Sequence, residues 1–84
     1  MTGEHLKLKV LLFGATADEA GTRSTVLEMP AGTLSSDAFQ KLVELHPGLG
    51  NHKLYYSVNQ EYASGAEALK DGDELAVFTA VSGG

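Results

Sequence analysis

The stretch Leu6-Lys7-Leu8-Lys9-Val10-Leu11-Leu12-Phe13 alternates with a period of two. Leu6, Leu8, Val10 and Leu12 lie on one side; Lys7, Lys9, Leu11 and Phe13 lie on the other. Successive side chains of a strand point to opposite faces, so this pattern specifies a strand with one buried face. The opposite face begins cationic and ends apolar, which is unusual for a surface meant only for water. Outward from this strand, Gly14 to Gly21 is rich in small residues and reads as a loop, with a helical turn as the alternative. Thr22 to Met29 carries the β-favouring Thr25, Val26, Leu27 and Met29 and reads as a second strand, broken by Pro30-Ala31-Gly32.

A helix follows. Ser35, Ser36 and Asp37 are its N-cap candidates, and Asp37 with Gln40 has the spacing of a reciprocal capping bond. Leu34, Ala38, Leu42 and Leu45 fall on one helical face, widened by Phe39 and Val43. His46-Pro47-Gly48 ends the helix, because proline disfavours helical geometry in the residue before it. Gly48 to Lys53 reads as a loop and Leu54 to Val58 as a strand. Asn59-Gln60-Glu61 reads as a turn leading to Tyr62, and Ala63 to Leu69 as irregular. Lys70-Asp71-Gly72-Asp73 is a turn, with Gly72 supplying positive φ, before a last strand from Glu74 to Val81. Strand, strand, helix, strand, strand is an α+β order. A β-grasp, ubiquitin-like roll satisfies it: a mixed sheet of four to five strands packed on one main helix, with the first and last strands adjacent and parallel.

The 84 residues make one domain, assigned to 1–81, with Ser82-Gly83-Gly84 as a flexible tail. Six basic against eleven acidic residues give a net charge of −5, which argues against nucleic acid, whose phosphates need a basic face. The absence of cysteine excludes disulfide scaffolds and thiol catalysis. The polar start is no signal peptide and the longest apolar run is too short to span a membrane, so a soluble, cytoplasmic protein is expected. His5, His46 and His52 are dispersed, and no metal site is expected from them. Asp71, Asp73 and Glu74 read as turn chemistry rather than a cation loop. Ser35 and Ser36 start a helix and lack the partners of a nucleophile. Gly14 to Gly21 lacks the spacing and lysine of a phosphate-binding loop, so the chain is not expected to bind ATP by that route. No cofactor of its own is expected.

Gly83 and Gly84 directly follow the last strand. Two residues without Cβ thread a channel too narrow for side chains, although they lose the most backbone freedom when ordered. By themselves they also read as an ordinary frayed end. The surrounding blocks narrow the reading. Val10-Leu11-Leu12-Phe13-Gly14, His46-Pro47-Gly48-Leu49, Val58-Asn59-Gln60-Glu61-Tyr62, and Leu69 to Phe78 followed by Val81-Ser82-Gly83-Gly84 recur in this order over nearly the whole chain. Together they resemble the small subunit of molybdopterin synthase, a ubiquitin-like sulfur-carrier family.

That resemblance implies a ubiquitin-like fold and a terminal thiocarboxylate. An adenylating enzyme related to ubiquitin-activating enzymes would use ATP on Gly84, with Gly83 as its thin neighbour, and a sulfurtransferase would load the sulfur. The large synthase subunit would then receive the tail and pass sulfur to cyclic pyranopterin monophosphate, two small subunits capping a large-subunit dimer in a heterotetramer. The small subunit would not itself be the catalyst. Two departures stand out. Thr79-Ala80 replaces a common Pro-Pro pair, and Ala17-Asp18-Glu19 lacks the arginine often found in the first loop. Thr79-Ala80-Val81 is also similar to the thiamine-pathway sulfur carrier. A protein modifier joined to lysines through Gly84, and a non-covalent adaptor, remain the other readings.

The last strand sorts Leu75, Val77 and Thr79 to one face and Glu74, Ala76, Phe78 and Ala80 to the other. With the first and last strands adjacent, Leu11, Phe13 and Phe78 form one apolar patch, extended by Tyr62. Exposed apolar patches mark interfaces, and a second small core under the loops is the competing explanation. The resemblance assigns Phe13, Tyr62 and Phe78 to the large-subunit contact, with Leu11 and Val81 beside them.

Overall fold

The computed structural model describes residues 5–79. The expected end of the last strand at Val81 and the Ser82-Gly83-Gly84 tail lie outside the described residues. Along the chain run β1 (His5–Leu12), α1 (Ala15–Ala20), β2 (Ser24–Pro30), α2 (Ser35–Leu45), a 3-10 helix (Pro47–Asn51), β3 (Leu54–Val58), β4 (Glu61–Tyr62) and β5 (Glu74–Thr79). The five strands form one mixed sheet in the order β2-β1-β5-β3-β4. β1 and β5, the first and last strands, are parallel at its centre, pairing Lys9 with Glu74 and Leu12 with Val77. β2 pairs antiparallel with β1, and β3 pairs antiparallel with both β5 and β4.

The alternation read in β1 is realised in full. Leu6, Leu8, Val10 and Leu12 are buried, and they join Leu27, Leu69, Leu75 and Val77 in one core. α2 contributes Ala38 and Leu42, both without solvent exposure. Phe39 stacks on Tyr56 of β3, ring centroids 4.5 Å apart, which ties the flank of the helix to the sheet.

Several local readings are corrected. The helical turn admitted between Gly14 and Gly21 is a short helix, α1, rather than part of a loop; it is entered from Gly14 at φ 56° and closed by Gly21 in the left-handed region, whose N–H donates to Ala17 O. β2 runs from Ser24 to Pro30 rather than from Thr22 to Met29. The N-cap of α2 is Leu34, not Ser35, Ser36 or Asp37. Asp37 sits one turn in and its carboxylate accepts the Leu34 N–H at 3.2 Å, so it reaches back to the cap instead of pairing with Gln40. Leu45, placed on the core face of the helix, is 53% exposed, and Leu34 is exposed too. The 3-10 helix replaces the loop expected from Gly48 to Lys53, and it carries Leu49 into the core in place of Leu45.

Ser35 is buried because it has a different task. Its hydroxyl donates to the Glu67 carboxylate, which also accepts the Ser64 N–H at 2.7 Å, the Ser64 hydroxyl at 2.9 Å and the Gly65 N–H at 3.0 Å. These donors favour the ionised form, the Ser35 hydroxyl most, and bring the Glu67 pKa from 4.5 down to about 2. A lowered folded-state pKa stabilises the fold above the unfolded-state value and loses that contribution as pH falls through the folded one. Glu67→Gln is therefore expected to lower Tm at neutral pH. The difference from the native chain closes as pH drops from 4.5 toward 2, which a pH series of thermal melts reads directly.

Two turns fix the sheet's margins. Asn59 and Gln60 take positive φ, 51° and 73°, between β3 and β4, the two-residue hairpin geometry that matches strand twist. The Asn59 side chain accepts the Glu74 N–H at 3.0 Å and donates to Asp73 at 3.1 Å, so the hairpin is stitched to the start of β5. In the Lys70–Asp73 turn, Gly72 has φ 89° and its N–H donates to Lys7 O. Asp71 accepts the Lys7 N–H at 2.7 Å and Asp73 accepts the Lys70 N–H at 2.8 Å. These carboxylates serve the backbone, which gives the acidic turn a structural task.

Candidate functional site

The sheet has one face under α2 and one without a helix. The strand registers place Lys7, Lys9 and Leu11 of β1, Ala76 and Phe78 of β5, Tyr55 and Ser57 of β3, and Tyr62 of β4 on the uncovered face. Polar and apolar residues separate along it. Near the start of β1 and β5 stand Lys7, Lys9 and Glu74, bordered by Val26 of β2; toward the ends of β1 and β5 stand Leu11, Ala76 and Phe78, with Phe13 the residue after β1.

Phe78 is the centre of the apolar end. It is half-buried, and its ring lies 6.3 Å from Tyr55 at a shallow angle of 22° and 5.9 Å from Tyr62 at 65°. Aromatic pairs at these distances hold one another in preferred offset and edge-on arrangements. Tyr62 remains 80% exposed and Phe13 51% exposed. Leu11 is half-buried, and Ala76, paired with Leu11 on one side and Ser57 of β3 on the other, is buried beside it. Phe13 and Phe78 thus keep solvent exposure and do not form a closed second core. Of the residues expected at a partner surface, Leu11, Tyr62 and Phe78 share this face, and Phe13, exposed, directly follows β1. Val81, Gly83 and Gly84 lie outside the described residues.

Tyr55 was not among the expected surface residues, yet it supplies the flattest ring contact with Phe78. The signal lay in Leu54-Tyr55-Tyr56-Ser57-Val58: with Tyr56 facing the core, alternation sends Tyr55 outward.

The end of β1 is fastened to β5 beneath this patch. The Phe13 N–H lies 3.3 Å from Val77 O and donates to the Thr16 hydroxyl at 2.9 Å. Thr16 is fully buried, with its Oγ1 2.7 Å from Phe13 O and 2.9 Å from Val77 O. On the far side of α1, Glu19 pairs with His52 at 3.1 Å, joining the short helix to the residue after the 3-10 helix. Among the described residues no three His, Asp or Glu side chains gather as a metal site, and no helix is long and apolar enough to cross a membrane.

A mixed sheet with central parallel first and last strands, one covering helix and an exposed aromatic face defines the class: a ubiquitin-like β-grasp domain. Within that class the chain belongs to the ThiS family, which matches residues 10–84. The molybdopterin synthase sulfur carrier subunit of Chlamydomonas reinhardtii is 34% identical over 94% of this chain and the whole of its own length. The crystal structure of small archaeal modifier protein 1 from Haloferax volcanii superposes with a TM-score of 0.83 at 32% identity, covering 93% of this chain and 99% of that one. At the level of fold alone, a ubiquitin from Caldiarchaeum subterraneum matches 96% of this chain and all of its own, with a TM-score of 0.65 at 16% identity.

Proposed function

We propose that the chain is a sulfur carrier of molybdenum-cofactor biosynthesis, acting as the small, non-catalytic subunit of molybdopterin synthase. The observation that carries this reading is the position of β5. It is a central strand, it carries Phe78 into an exposed aromatic patch, and the family match continues past it through Gly84. The names borne by relatives such as the Chlamydomonas subunit supply the pathway.

In this reading the Gly84 carboxylate attacks the α-phosphorus of ATP held by an adenylating enzyme, and pyrophosphate leaves. The acyl carbonyl of the adenylate is then attacked by sulfur at the sulfide oxidation level supplied through a sulfurtransferase, and AMP leaves with the acyl oxygen it carried. The resulting thiocarboxylate is a nucleophile on a slender arm. The large subunit, docked on Leu11, Phe13, Tyr62 and Phe78, receives the arm and holds the active site where sulfur passes to cyclic pyranopterin monophosphate. The thiocarboxylate sulfur bonds to the pterin and leaves a thioester to Gly84; hydrolysis of its acyl carbon–sulfur bond keeps the sulfur on the pterin and returns the carboxylate for another cycle. The domain's contribution is placement: the patch fixes where the arm enters, and glycine at 83 and 84 lets it pass.

A second reading follows from the similarity to small archaeal modifier protein 1. The same acyl adenylate, captured by a lysine amine instead of sulfur, links the chain to another protein. Intact-mass analysis of the chain purified from its own cells separates the two. The carrier reading expects a population in which one oxygen is exchanged for sulfur at Gly84 and which is lost on incubation with large subunit and pyranopterin. Only carboxylate and lysine-linked forms would overturn it in favour of the modifier.

A further inference from the structure

We propose that Thr16 is the positioning residue of the docking patch, its buried hydroxyl setting the relative placement of Phe13 and the outgoing end of β5. The inference rests on the carrier reading for its functional arm and on geometry for the rest. β1 and β5 pair only as far as Leu12 and Val77. Beyond that rung the two chains part: β1 turns into α1 at Gly14, and β5 continues to Phe78 and Thr79. Thr16 stands at the fork. Its hydroxyl accepts the Phe13 N–H at 2.9 Å, and its single proton is within reach of Phe13 O at 2.7 Å and Val77 O at 2.9 Å. One side chain thereby extends the ladder by a rung that the backbone supplies only through the longer 3.3 Å contact from Phe13 N–H to Val77 O.

A buried hydroxyl is costly unless satisfied; the proton of this one has Phe13 O at 2.7 Å and Val77 O at 2.9 Å, so it sits between the two strand ends. A valine fills the same volume and would serve packing alone. The hydroxyl instead links the residue that presents Phe13 to the residue preceding Phe78, the two rings on either side of the fork. Fixing interface side chains before contact removes part of the ordering cost of association.

The test compares Thr16→Val and Thr16→Ser with the native chain, all well below their melting temperatures. Two quantities are read: hydrogen exchange of the Phe13 amide relative to that of Leu8, and affinity for the large synthase subunit. For Thr16→Val we expect Phe13 exchange faster by roughly tenfold with Leu8 unchanged, and affinity lower by about three- to tenfold, the scale of one hydrogen bond. Thr16→Ser restores both. Equal acceleration at Phe13 and Leu8 signals general destabilisation and overturns the proposal, as does unchanged exchange in Thr16→Val or failure of serine to rescue. If the native chain itself does not bind the large subunit, the carrier reading fails, and the exchange ratio still decides whether Thr16 sets the fork.

Discussion

A chain lacking Gly84 is expected to lose sulfur transfer to cyclic pyranopterin monophosphate completely while keeping its fold and its affinity for the large subunit. The reason is chemical. Deletion leaves a carboxylate, but one residue closer to the sheet, where the reacting atoms of the adenylating enzyme and of the large subunit are out of reach. Catalytic positioning tolerates little displacement, and an error of an ångström can cost two orders of magnitude. A glycine residue spans more than three times that distance when extended. Among the described residues β5 is held by pairing with β1 from Glu74 to Val77 and with β3 from Leu75 to Thr79. The measurement is a coupled assay of molybdopterin formation alongside a thermal melt and a binding titration. Retained transfer in the truncated chain would remove the carrier mechanism. Lost binding would show that the tail, rather than the aromatic face, anchors the complex.

Why that face was legible and the fork beneath it was not follows from how each is encoded. β1 announces itself because strand alternation is local: eight consecutive residues carry the whole message, including the change from lysine to leucine and phenylalanine on the outer side. The outward turn of Phe78 follows from the same rule once β1 and β5 are neighbours. α1 has no such signature. Six residues, Ala15 to Ala20, are too few for helical periodicity, and a helix that short does not stand alone. Its anchor is the Thr16 hydroxyl on Val77 O, a contact across 61 positions of sequence. Leu45 was misplaced for a related reason. Helical spacing put it on the core face, but the core at that end is filled by Leu49 from the 3-10 helix, whose return no local pattern foretells. The cap of α2 shows a third kind of failure. Ser35 has the chemistry of an N-cap, yet Glu67 claims its hydroxyl from 32 positions away.

Phe78→Ala is expected to weaken association with the large subunit by about 1–3 kcal/mol, roughly five- to 150-fold in Kd, with little change in Tm. Binding and stability separate here because the two faces of β5 have separate tasks. Leu75 and Val77 are buried in the core, whereas Phe78 projects from the uncovered face, half-buried against the rings of Tyr55 and Tyr62. Its removal takes away an aromatic anchor and also releases Tyr55 and Tyr62, whose rings lie 6.3 and 5.9 Å from it, so part of the lost affinity is ordering that must be regained on binding. Val26→Ala supplies the control. Val26 is more exposed than Phe13 and lies on the same face, but at the polar end beside Lys9, away from the rings. If exposure of apolar area alone recruited the partner, the two substitutions would act alike. If the aromatic cluster at the outgoing end of β5 is the anchor, calorimetric titration shows a large loss for Phe78→Ala and almost none for Val26→Ala. Equal affinities for native chain and Phe78→Ala would move the docking surface elsewhere on the domain.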